Sequence, residues 1–213
     1  MNHTIDSTPS LQPSGSARLP DGRHLILASS SIYRRKLLAR LDLPFSVKAP
    51  QVDETAYPGE TALALTERLA LAKAQTIAAQ HANSLVIGSD QVAVFEQHIL
   101  GKPGVHAKAV EQLRTISGKA VTFYTGLCLY DSASGRHYKQ VVTCQVCFRV
   151  LSDELIERYL QKEKPYQCAG SFKSERLGIA LLSRLDSEDP NALIGLPLIK
   201  LVGMLAQENI IIP

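Results

Sequence analysis

Apolar and polar positions in the first part of the chain alternate between strand-like and helix-like spacing. HLILAS at residues 24–29 is a short apolar run before a serine cluster, which is typical of a buried strand entering a tight turn. Residues 31–41 have leucines at helical spacing, and FSVKA at residues 45–49 predicts another strand. The Ala- and Leu-rich segment from Glu60 to Gln80 predicts the longest helix of the chain.

The rest of the chain continues this alternation. Two strand segments with Asp90 between them are predicted within residues 85–94, followed by a strand at 98–100 and a helix over 106–117 that is ended by Gly118. Two long strands around a turn at 132–135 come next, and then a helix that is capped by Ser152. The last predicted elements are a strand at 177–185 and a closing helix from about Pro190 to Gln207. Some of the predicted strands suggest parallel pairing and others suggest antiparallel pairing. We therefore expect an α/β protein with a long, bent mixed sheet that is covered by helices.

Asp90 stands after the apolar run Leu85 to Ile87, where a carboxylate is unexpected. A buried carboxylate is costly to desolvate unless it is paired, hydrogen-bonded or bound to a cation. Gly88 keeps the backbone accessible at this point. Asp90 is therefore either a functional carboxylate or an ordinary turn residue at the end of a strand.

Further acids and bases are candidates for the same site. The VDET motif places Asp53 and Glu54 in a loop, and Lys102 stands in a stiff turn that reaches Asp90 if the flanking strands form a hairpin. Lys73 lies beside the apolar stripe of the long helix, so it is either a site residue or a side chain that snorkels from the edge of the core. Carboxylates together with bases are the groups that a divalent metal and a polyphosphate need.

Two more segments have a composition that suits ligand binding. In SSSIYRRKLL at residues 29–38, Arg34 and Arg35 lie in the first turn of the predicted helix, where cations are disfavoured unless an anion binds nearby. The alternative is that both arginines are solvated and the serines only cap the helix. CAGSFKSE at residues 168–175 combines small residues, an aromatic, a lysine and an acid, which suits either a ligand loop or a surface turn.

Composition limits the classes of function. The chain has 213 residues, of which 45% are hydrophobic and 20% are charged, and this is enough for one large domain or two lobes sharing a cleft. The net charge of +3 and the absence of like-charged runs argue against a nucleic-acid or membrane-surface role, and no apolar run is long enough for a membrane span. Residues 1–20 are rich in Ser, Thr, Pro and Gly, so we expect a disordered extension before a domain over residues 21–213.

The four cysteines are expected to be reduced thiols of a cytoplasmic protein, because nothing resembling a secretory leader precedes them. Cys144 and Cys147 form a C-x-x-C pair in a stretch with strand character. A spacing of three on a strand sends the two side chains to opposite faces, which favours two small apolar residues over a metal or redox site.

Seven segments resemble, in order and spacing, the motifs of the Maf-like nucleotide pyrophosphatases. They are LILASSSIYRRKLL, VDET, IGSDQV, GKP, SGKAVTFYTGL, CAGSFKSE and GLPLIKL. The likeness runs from about Leu25 to Leu205, and within the family the chain looks most like the 7-methyl-GTP pyrophosphatase subfamily.

This resemblance implies a two-lobed α/β fold similar to that of inosine triphosphatases, with an elongated sheet and a central cleft. It also implies a cytoplasmic enzyme, often a homodimer, that hydrolyses a nucleoside triphosphate to the monophosphate and pyrophosphate. The cofactor implied is a divalent metal such as Mg²⁺ or Mn²⁺. Two alternatives remain open: another substrate such as UTP or dTTP on the same fold, and a mainly non-enzymatic role in septum formation.

The resemblance also assigns roles to residues of this sequence. Asp90 falls on the presumed proton acceptor, and Tyr33, Gln91 and Glu175 fall on the positions that set substrate specificity. The implied phosphate and metal neighbourhood contains Ser31, Arg34, Arg35, Glu54, Lys73, Lys102 and Lys173, with Glu54 and Asp90 as the metal carboxylates. Two departures stand out: the family usually has Pro where this chain has Ile32, and the subfamily tends to have Trp where this chain has Tyr33.

Overall fold

The computed structural model describes residues 18–213. Residues 1–17 of the predicted extension over residues 1–20 lie outside the described residues. Leu19 is buried in the same hydrophobic cluster as Leu25 and Leu27, so the folded domain begins before the predicted boundary at residue 21.

The fold is built on one mixed sheet of seven strands, which confirms the predicted α/β class. The strands are β1 (His24–Ala28), β2 (Ser46–Lys48), β3 (Ser84–Phe95), β4 (His98–Leu100), β5 (Ala120–Asp131), β6 (His137–Phe148) and β7 (Leu182–Ser187). The strand order is β2-β1-β3-β5-β6-β7, and β4 pairs with the end of β3. The pairings of β1 with β2 and β3 are parallel, whereas all other pairings are antiparallel.

Within residues 18–213, five α-helices pack on this sheet. They are α1 (Ile32–Leu38), α2 (Ala62–Ala78), α3 (His106–Ile116), α4 (Asp153–Glu163) and α5 (Leu198–Gln207). Thr61 and Ser152 cap α2 and α4, since each hydroxyl accepts a backbone N–H three residues later. None of the helices within residues 18–213 combines the length and apolar character that a bilayer span needs.

The central strand differs from the prediction at Asp90. We expected two strand segments around this residue, but β3 runs unbroken from Ser84 to Phe95, and Asp90 pairs with Gly126 of β5. The prediction of a turn residue is therefore wrong. Antiparallel pairing over ten residue pairs between β3 and β5 keeps the strand extended through its polar stretch.

Two predictions near the C-terminus were also wrong. Residues 177–185 begin with a short 3₁₀ helix, Leu177–Leu181, and only then form β7. The closing helix begins at Leu198 and not near Pro190, because a 3₁₀ turn at Ala192–Ile194 ends at Gly195 with φ +115°. This left-handed backbone at Gly195 redirects the chain before the helix.

The long strands β3 and β5 enter a different hydrophobic core at each end. Leu85 and Ile87 of β3 belong to a cluster with α1 and α5, whereas Ala93 and Phe95 belong to a cluster with α3 and α4. Between them β3 carries the polar sequence Ser89 to Gln91. The polar stretch therefore lies where neither of the two large cores covers the sheet.

Helix α2 approaches the sheet unusually closely at two glycines. A Cβ added to Gly88 would lie 2.0 Å from the carbonyl oxygen of Ala70, and one added to Gly126 would lie 2.3 Å from that of Thr66. These distances are far below any van der Waals contact, so only glycine fits under the helix at both positions. The small side chain of Ala74, four residues after Ala70, completes this contact.

We predict that Gly88→Ala destabilises the protein because the added methyl group pushes α2 away from the sheet. Overpacking of this kind costs about 1 to 3 kcal/mol or more. Urea unfolding followed by circular dichroism measures the free energy of unfolding.

Gly203→Ala is the matched control. Gly203 is exposed within α5 and a Cβ there meets nothing within 4 Å, so alanine should raise the free energy of unfolding by up to about 1 kcal/mol. Equal effects of the two substitutions would contradict the close helix contact.

Candidate active site

A cavity of about 760 Å³ opens beside the polar middle of β3. It is lined by nine of the residues that the sequence predicted, namely Ser31, Tyr33, Arg34, Glu54, Lys73, Asp90, Gln91, Lys102 and Glu175. Segments far apart in the chain therefore meet at one place, as predicted. Its volume lies in the range of about 300 to 1,000 Å³ that is usual for small-molecule sites.

Asp90 and Lys73 form a buried ion pair in the cavity. The ammonium Nζ of Lys73 donates to Asp90 Oδ1 at 2.6 Å, and the two side chains are 8% and 10% exposed. Lys73 also contacts Glu54 Oε1 at 2.5 Å. One ammonium on α2 thus joins an acid from the sheet to an acid from the loop before α2, and the snorkelling interpretation of Lys73 is wrong.

Glu54 keeps its charge in spite of partial burial. Burial raises the pKa of its carboxyl, but hydrogen bonding to Lys73 and the positive charges of Lys73, Lys102 and Arg34 outweigh this effect, so the net pKa is lowered. Its side chain is still 54% exposed, so it can reach a ligand in the cavity.

The loop that carries Glu54 is anchored by a residue that the sequence analysis missed. Arg68 of α2 donates to the backbone oxygen of Thr55 at 3.0 Å and to Glu60, and its guanidinium stacks over the Tyr57 ring at 4.0 Å. The hydrogen bonds from Arg68 lower the pKa of Glu60 to about 2. The sequence feature that could have identified Arg68 is its location on the same helix as Lys73, five residues before it.

Arg34 of α1 lies near the same two acids, Asp90 and Glu54. Its Nε donates to the carbonyl oxygen of Gly195 at 2.7 Å, which fixes the guanidinium beside the cavity. Burial lowers the pKa of Arg34, and the nearby charges of Asp90 and Glu54 counteract part of this effect. Ser31 caps α1 by accepting the N–H of Arg34, so the predicted capping role of the serines also holds.

Gln91 points to the other face of β3 and holds the segment before α5. Its amide nitrogen donates to Thr125 Oγ1 at 2.9 Å, to the Ala192 oxygen at 2.8 Å and to the Leu193 oxygen at 3.1 Å. Ser89 donates to the Gly195 oxygen at 2.9 Å. Because the nitrogen of Gln91 is engaged, its side-chain oxygen is the atom that can accept from a ligand.

The turn before α5 is a second feature that sequence reasoning missed. Asp189 is fully buried, and its carboxylate accepts the backbone N–H groups of Asn191 at 3.0 Å and of Ile199 at 2.6 Å. This carboxylate therefore fixes both ends of the segment that carries Gly195. The DPN triplet, which is typical of a turn, was its only signal.

Glu175 lies in the loop before the 3₁₀ helix Leu177–Leu181 and lines the cavity. Burial raises the pKa of its carboxyl, an effect that the charge of Lys173 partly counteracts. This carboxyl is therefore more easily protonated than an ordinary glutamate. The main cations acting on Glu54 are different ones, Lys73, Lys102 and Arg34.

Two of the predicted phosphate ligands do not line the cavity. Lys173 Nζ donates to the backbone oxygen of Glu163 at 2.8 Å, because it satisfies a carbonyl at the C-terminal end of α4. Arg35 is exposed on α1 outside the cavity lining. The Cys144 and Cys147 pair also lies outside the lining, on β6, with Cys144 buried and Cys147 partly exposed.

The acids of the cavity fit a divalent metal that binds together with a substrate. Within residues 18–213 no group of three or more His, Cys, Asp or Glu residues could hold a metal ion by itself. However, Mg²⁺ is commonly held by one or two carboxylates, with waters and phosphate oxygens as the other ligands. Glu54 and Asp90, which meet at one ammonium, supply such a pair of carboxylates.

Comparison with known proteins places these residues in a family. Residues 24–208 match the family model described as Maf-like protein, a range that includes every residue lining the cavity. The chain is 56% identical over 183 residues to the 7-methyl-GTP pyrophosphatase of Nitrosococcus oceani, which covers 86% of this chain and 92% of that protein. It is 56% identical over 188 residues to the 7-methyl-GTP pyrophosphatase of Nitrosospira multiformis, a region that covers 88% of this chain and 95% of that protein. It is 51% identical over 189 residues to the 7-methyl-GTP pyrophosphatase of Pseudomonas syringae pv. syringae, a region that covers 89% of this chain and 98% of that protein.

We predict that Lys73→Met lowers the free energy of unfolding by about 3 to 5 kcal/mol, because it leaves the buried Asp90 carboxylate without its ammonium partner. The double substitution Lys73→Met with Asp90→Asn should recover most of this loss. Urea unfolding of the two single variants and the double variant gives the coupling energy of the pair.

Lys139→Met is the matched control. Lys139 pairs with Glu67 at 3.3 Å, but both side chains are about one-third exposed, at 34% and 38%. A surface pair of this kind contributes about 0 to 1 kcal/mol. If Lys73→Met were as mild as this control, the buried pair would not be an important contact.

Proposed function

Since this chain belongs to the Maf-like family, we propose that it is a nucleoside triphosphate pyrophosphatase that hydrolyses 7-methyl-GTP to 7-methyl-GMP and pyrophosphate. The observation that carries this proposal is the meeting of Asp90, Lys73 and Glu54 in a cavity that also presents Arg34 and Lys102. Relatives at 51% to 56% identity bear the name of this activity.

The cations of the cavity bind the triphosphate tail in this proposal. Arg34 is already fixed by Gly195, so little side-chain freedom is lost when it pairs with phosphate oxygens. Lys102 stands in the turn after β4, and its charge acts on Glu54 across the cavity. Preorganised positive groups of this kind stabilise the negative charge that spreads over the phosphate oxygens during transfer.

Asp90 acts on the attacking water. Its carboxylate accepts a proton as the water oxygen bonds to the α-phosphorus, and the bond to the bridging oxygen breaks, so that pyrophosphate leaves with the bonding pair. Lys73 holds and orients the Asp90 carboxylate through its hydrogen bond of 2.6 Å. A buried acid paired in this way is ready to accept a proton without a large movement.

We further propose Glu54 and Asp90 as the ligands of a divalent cation, Mg²⁺ or Mn²⁺, that arrives with the nucleotide. When bound, such an ion neutralises phosphate charge and makes a coordinated water more acidic. Glu54 is suited to this role because its side chain is half exposed and its lowered pKa keeps it ionised.

Base selection is assigned to Tyr33, Gln91 and Glu175, which all line the cavity. Methylation at N7 gives the guanine ring a positive charge, and a tyrosine ring stacked on it contributes a cation–π energy of about 0.5 to 2 kcal/mol. Glu175 adds a negative charge that complements the methylated base. The side-chain oxygen of Gln91 is available as an acceptor.

The family resemblance also supports a cytoplasmic enzyme that acts as a homodimer. Cys128, Cys144, Cys147 and Cys168 are all free thiols, which is the usual state in a reducing compartment. Size-exclusion chromatography with light scattering tests the dimer.

The purified protein tests the function directly. After removal of metal by a chelator and addition of Mg²⁺ or Mn²⁺, we expect release of pyrophosphate from 7-methyl-GTP, with slower release from GTP, UTP and dTTP. Asp90→Asn should lower kcat by about 100-fold or more, the usual contribution of a general base. The control is Asp153→Asn, which removes an exposed acid at the start of α4.

Several results would overturn the proposal. Cleavage of UTP or dTTP in preference to 7-methyl-GTP would assign another substrate to the same fold. Absence of cleavage of every nucleotide with either metal would favour the binding role in septum formation. Full activity after chelation would remove the metal from the proposal.

We predict that Glu175→Gln lowers the preference for 7-methyl-GTP over GTP by about five- to tenfold, because it removes the charge that complements the methylated base. The ratio of the two kcat/KM values measures this preference. Equal losses on both nucleotides would remove base recognition from Glu175.

The same preference should depend on pH in the wild-type protein. The pKa of Glu175 is raised above 4.5, so its negative charge is present at neutral pH and is lost as the pH falls through that raised value. The preference for 7-methyl-GTP should therefore fall on acidification while the ordinary glutamates are still ionised. In Glu175→Gln the ratio should not change over this range.

A further inference from the structure

The hydroxyl of Ser174 is buried but has no hydrogen-bond partner among the described residues. Over residues 18–213 its Oγ is the one buried side-chain nitrogen or oxygen without a hydrogen-bond partner in the protein. Buried polar groups are nearly always paired, because an unpaired one loses its bonds to water without replacement. Ser174 also lines the cavity, directly before Glu175. The unpaired hydroxyl therefore points to a ligand that completes its hydrogen bonding.

The loop around Ser174 is fixed by bonds on both sides. The backbone N–H of Lys173 donates to the hydroxyl of Tyr159 at 3.0 Å, and its ammonium donates to the Glu163 oxygen at 2.8 Å. Arg176 pairs with the buried carboxylate of Glu163 at 3.2 Å. Both neighbours of the Ser174 to Glu175 pair are therefore tied to α4. These bonds fix the backbone of Ser174, which lines the cavity, so the loop is preorganised.

This part of the wall suits a base better than a phosphate. The nearby lining residues Phe123 and Phe172 are buried aromatic side chains whose ring centroids lie 6.1 Å apart. The adjacent Glu175 carboxylate repels phosphate oxygens. The cations that suit the tail, Lys73 and Arg34, are among the main influences on the pKa of Glu54, whereas the main cation acting on Glu175 is Lys173. A nucleobase with hydrogen-bonding edges, which carries a positive charge when it is N7-methylated guanine, fits the Ser174 side of the cavity.

Resting on the proposed 7-methyl-GTP pyrophosphatase function, we propose that Ser174 is a further specificity residue, whose hydroxyl donates to O6 of the guanine ring beside Glu175. A carboxylate only accepts hydrogen bonds, whereas a serine hydroxyl supplies one donor. Guanine presents an acceptor at O6 and donors at N1 and N2, so the adjacent pair of side chains matches it. Adenine carries an amino donor in place of O6 and cannot accept this bond.

Ser174→Ala tests the contact. The kcat/KM for 7-methyl-GTP should fall about tenfold, which corresponds to about 1.4 kcal/mol, the size of one hydrogen bond. The midpoint of thermal unfolding should stay equal or rise, because the variant removes a buried hydroxyl that has no partner in the free protein. Inhibition by inorganic tripolyphosphate, which has a tail but no base, should not change.

A second measurement identifies the atom on the base. Competitive inhibition of 7-methyl-GTP cleavage is compared for GMP and for the monophosphate of 2-aminopurine riboside, which lacks O6. The wild-type protein should prefer GMP, and Ser174→Ala should reduce this preference about tenfold; part of it remains, because 2-aminopurine also lacks the N1–H that donates to a carboxylate. An undiminished preference in the variant would overturn the O6 contact.

Ser171→Ala is the matched control. The Ser171 hydroxyl is buried in the same lobe, but it donates to Gln112 Oε1 at 2.5 Å and does not line the cavity. Its removal should lower the unfolding midpoint by about 2 to 4 °C without changing the preference for GMP. Comparison of Ser174→Ala with Ser171→Ala therefore distinguishes a role in binding from a role in stability.

The outcomes also separate this inference from the proposed function. If the wild-type protein cleaves 7-methyl-GTP and Ser174→Ala cleaves it equally well, the function holds and the role of Ser174 is wrong. If the wild-type protein does not cleave 7-methyl-GTP, the proposed function and the role of Ser174 are both wrong. A loss in Ser174→Ala that also weakens tripolyphosphate inhibition would contradict base recognition by Ser174.

Discussion

The close contact of α2 with the sheet is the constraint on which the site depends. Gly88 and Gly126 lack the Cβ atoms that would collide with backbone atoms of the helix, so the helix axis lies nearer to the sheet than side chains normally allow. This short separation lets the ammonium of Lys73 reach Asp90 in the middle of β3. With a wider separation, Asp90 would be a buried acid without its partner, and such a charge is too costly to retain. The two glycines are thus structural requirements of the site, although neither contributes a group to the proposed chemistry.

The location of the cavity follows from the distribution of the hydrophobic cores. The long strands β3 and β5 enter one large core at each end, and their middle is covered by α2 on one face and by the turn before α5 on the other. Ser89 and Gln91 use their hydrogen bonds to hold that turn, while Asp90 faces the helix. Alternation of side chains along the strand therefore directs Asp90 towards α2 and directs Ser89 and Gln91 towards the turn before α5.

Much of this arrangement could be predicted from sequence, and the exceptions have physical reasons. The mixed sheet and most helices followed from apolar periodicity, and the family motifs brought together nine residues that do line the cavity. The orientation of Lys173 could not be predicted, because it depends on a carbonyl at the end of α4 that is distant in sequence. The anchors Arg68 and Asp189 were missed for a similar reason, since their partners are backbone groups that carry no sequence signal. Ile32 departs from the family proline, yet α1 still begins at this residue because Ser31 supplies the cap.

The charges that line the cavity affect its two glutamates in opposite ways. Hydrogen bonding to Lys73 and the charges of Lys73, Lys102 and Arg34 lower the pKa of Glu54 in spite of burial. For Glu175 burial is the largest effect, so its pKa is raised. In the proposed function, the polyanionic tail of the nucleotide is attracted to the cations around Glu54, and the positive charge of the methylated base is attracted to Glu175. An unmethylated nucleotide would share only the tail attraction, so in this proposal the electrostatic difference between the two substrates arises at Glu175.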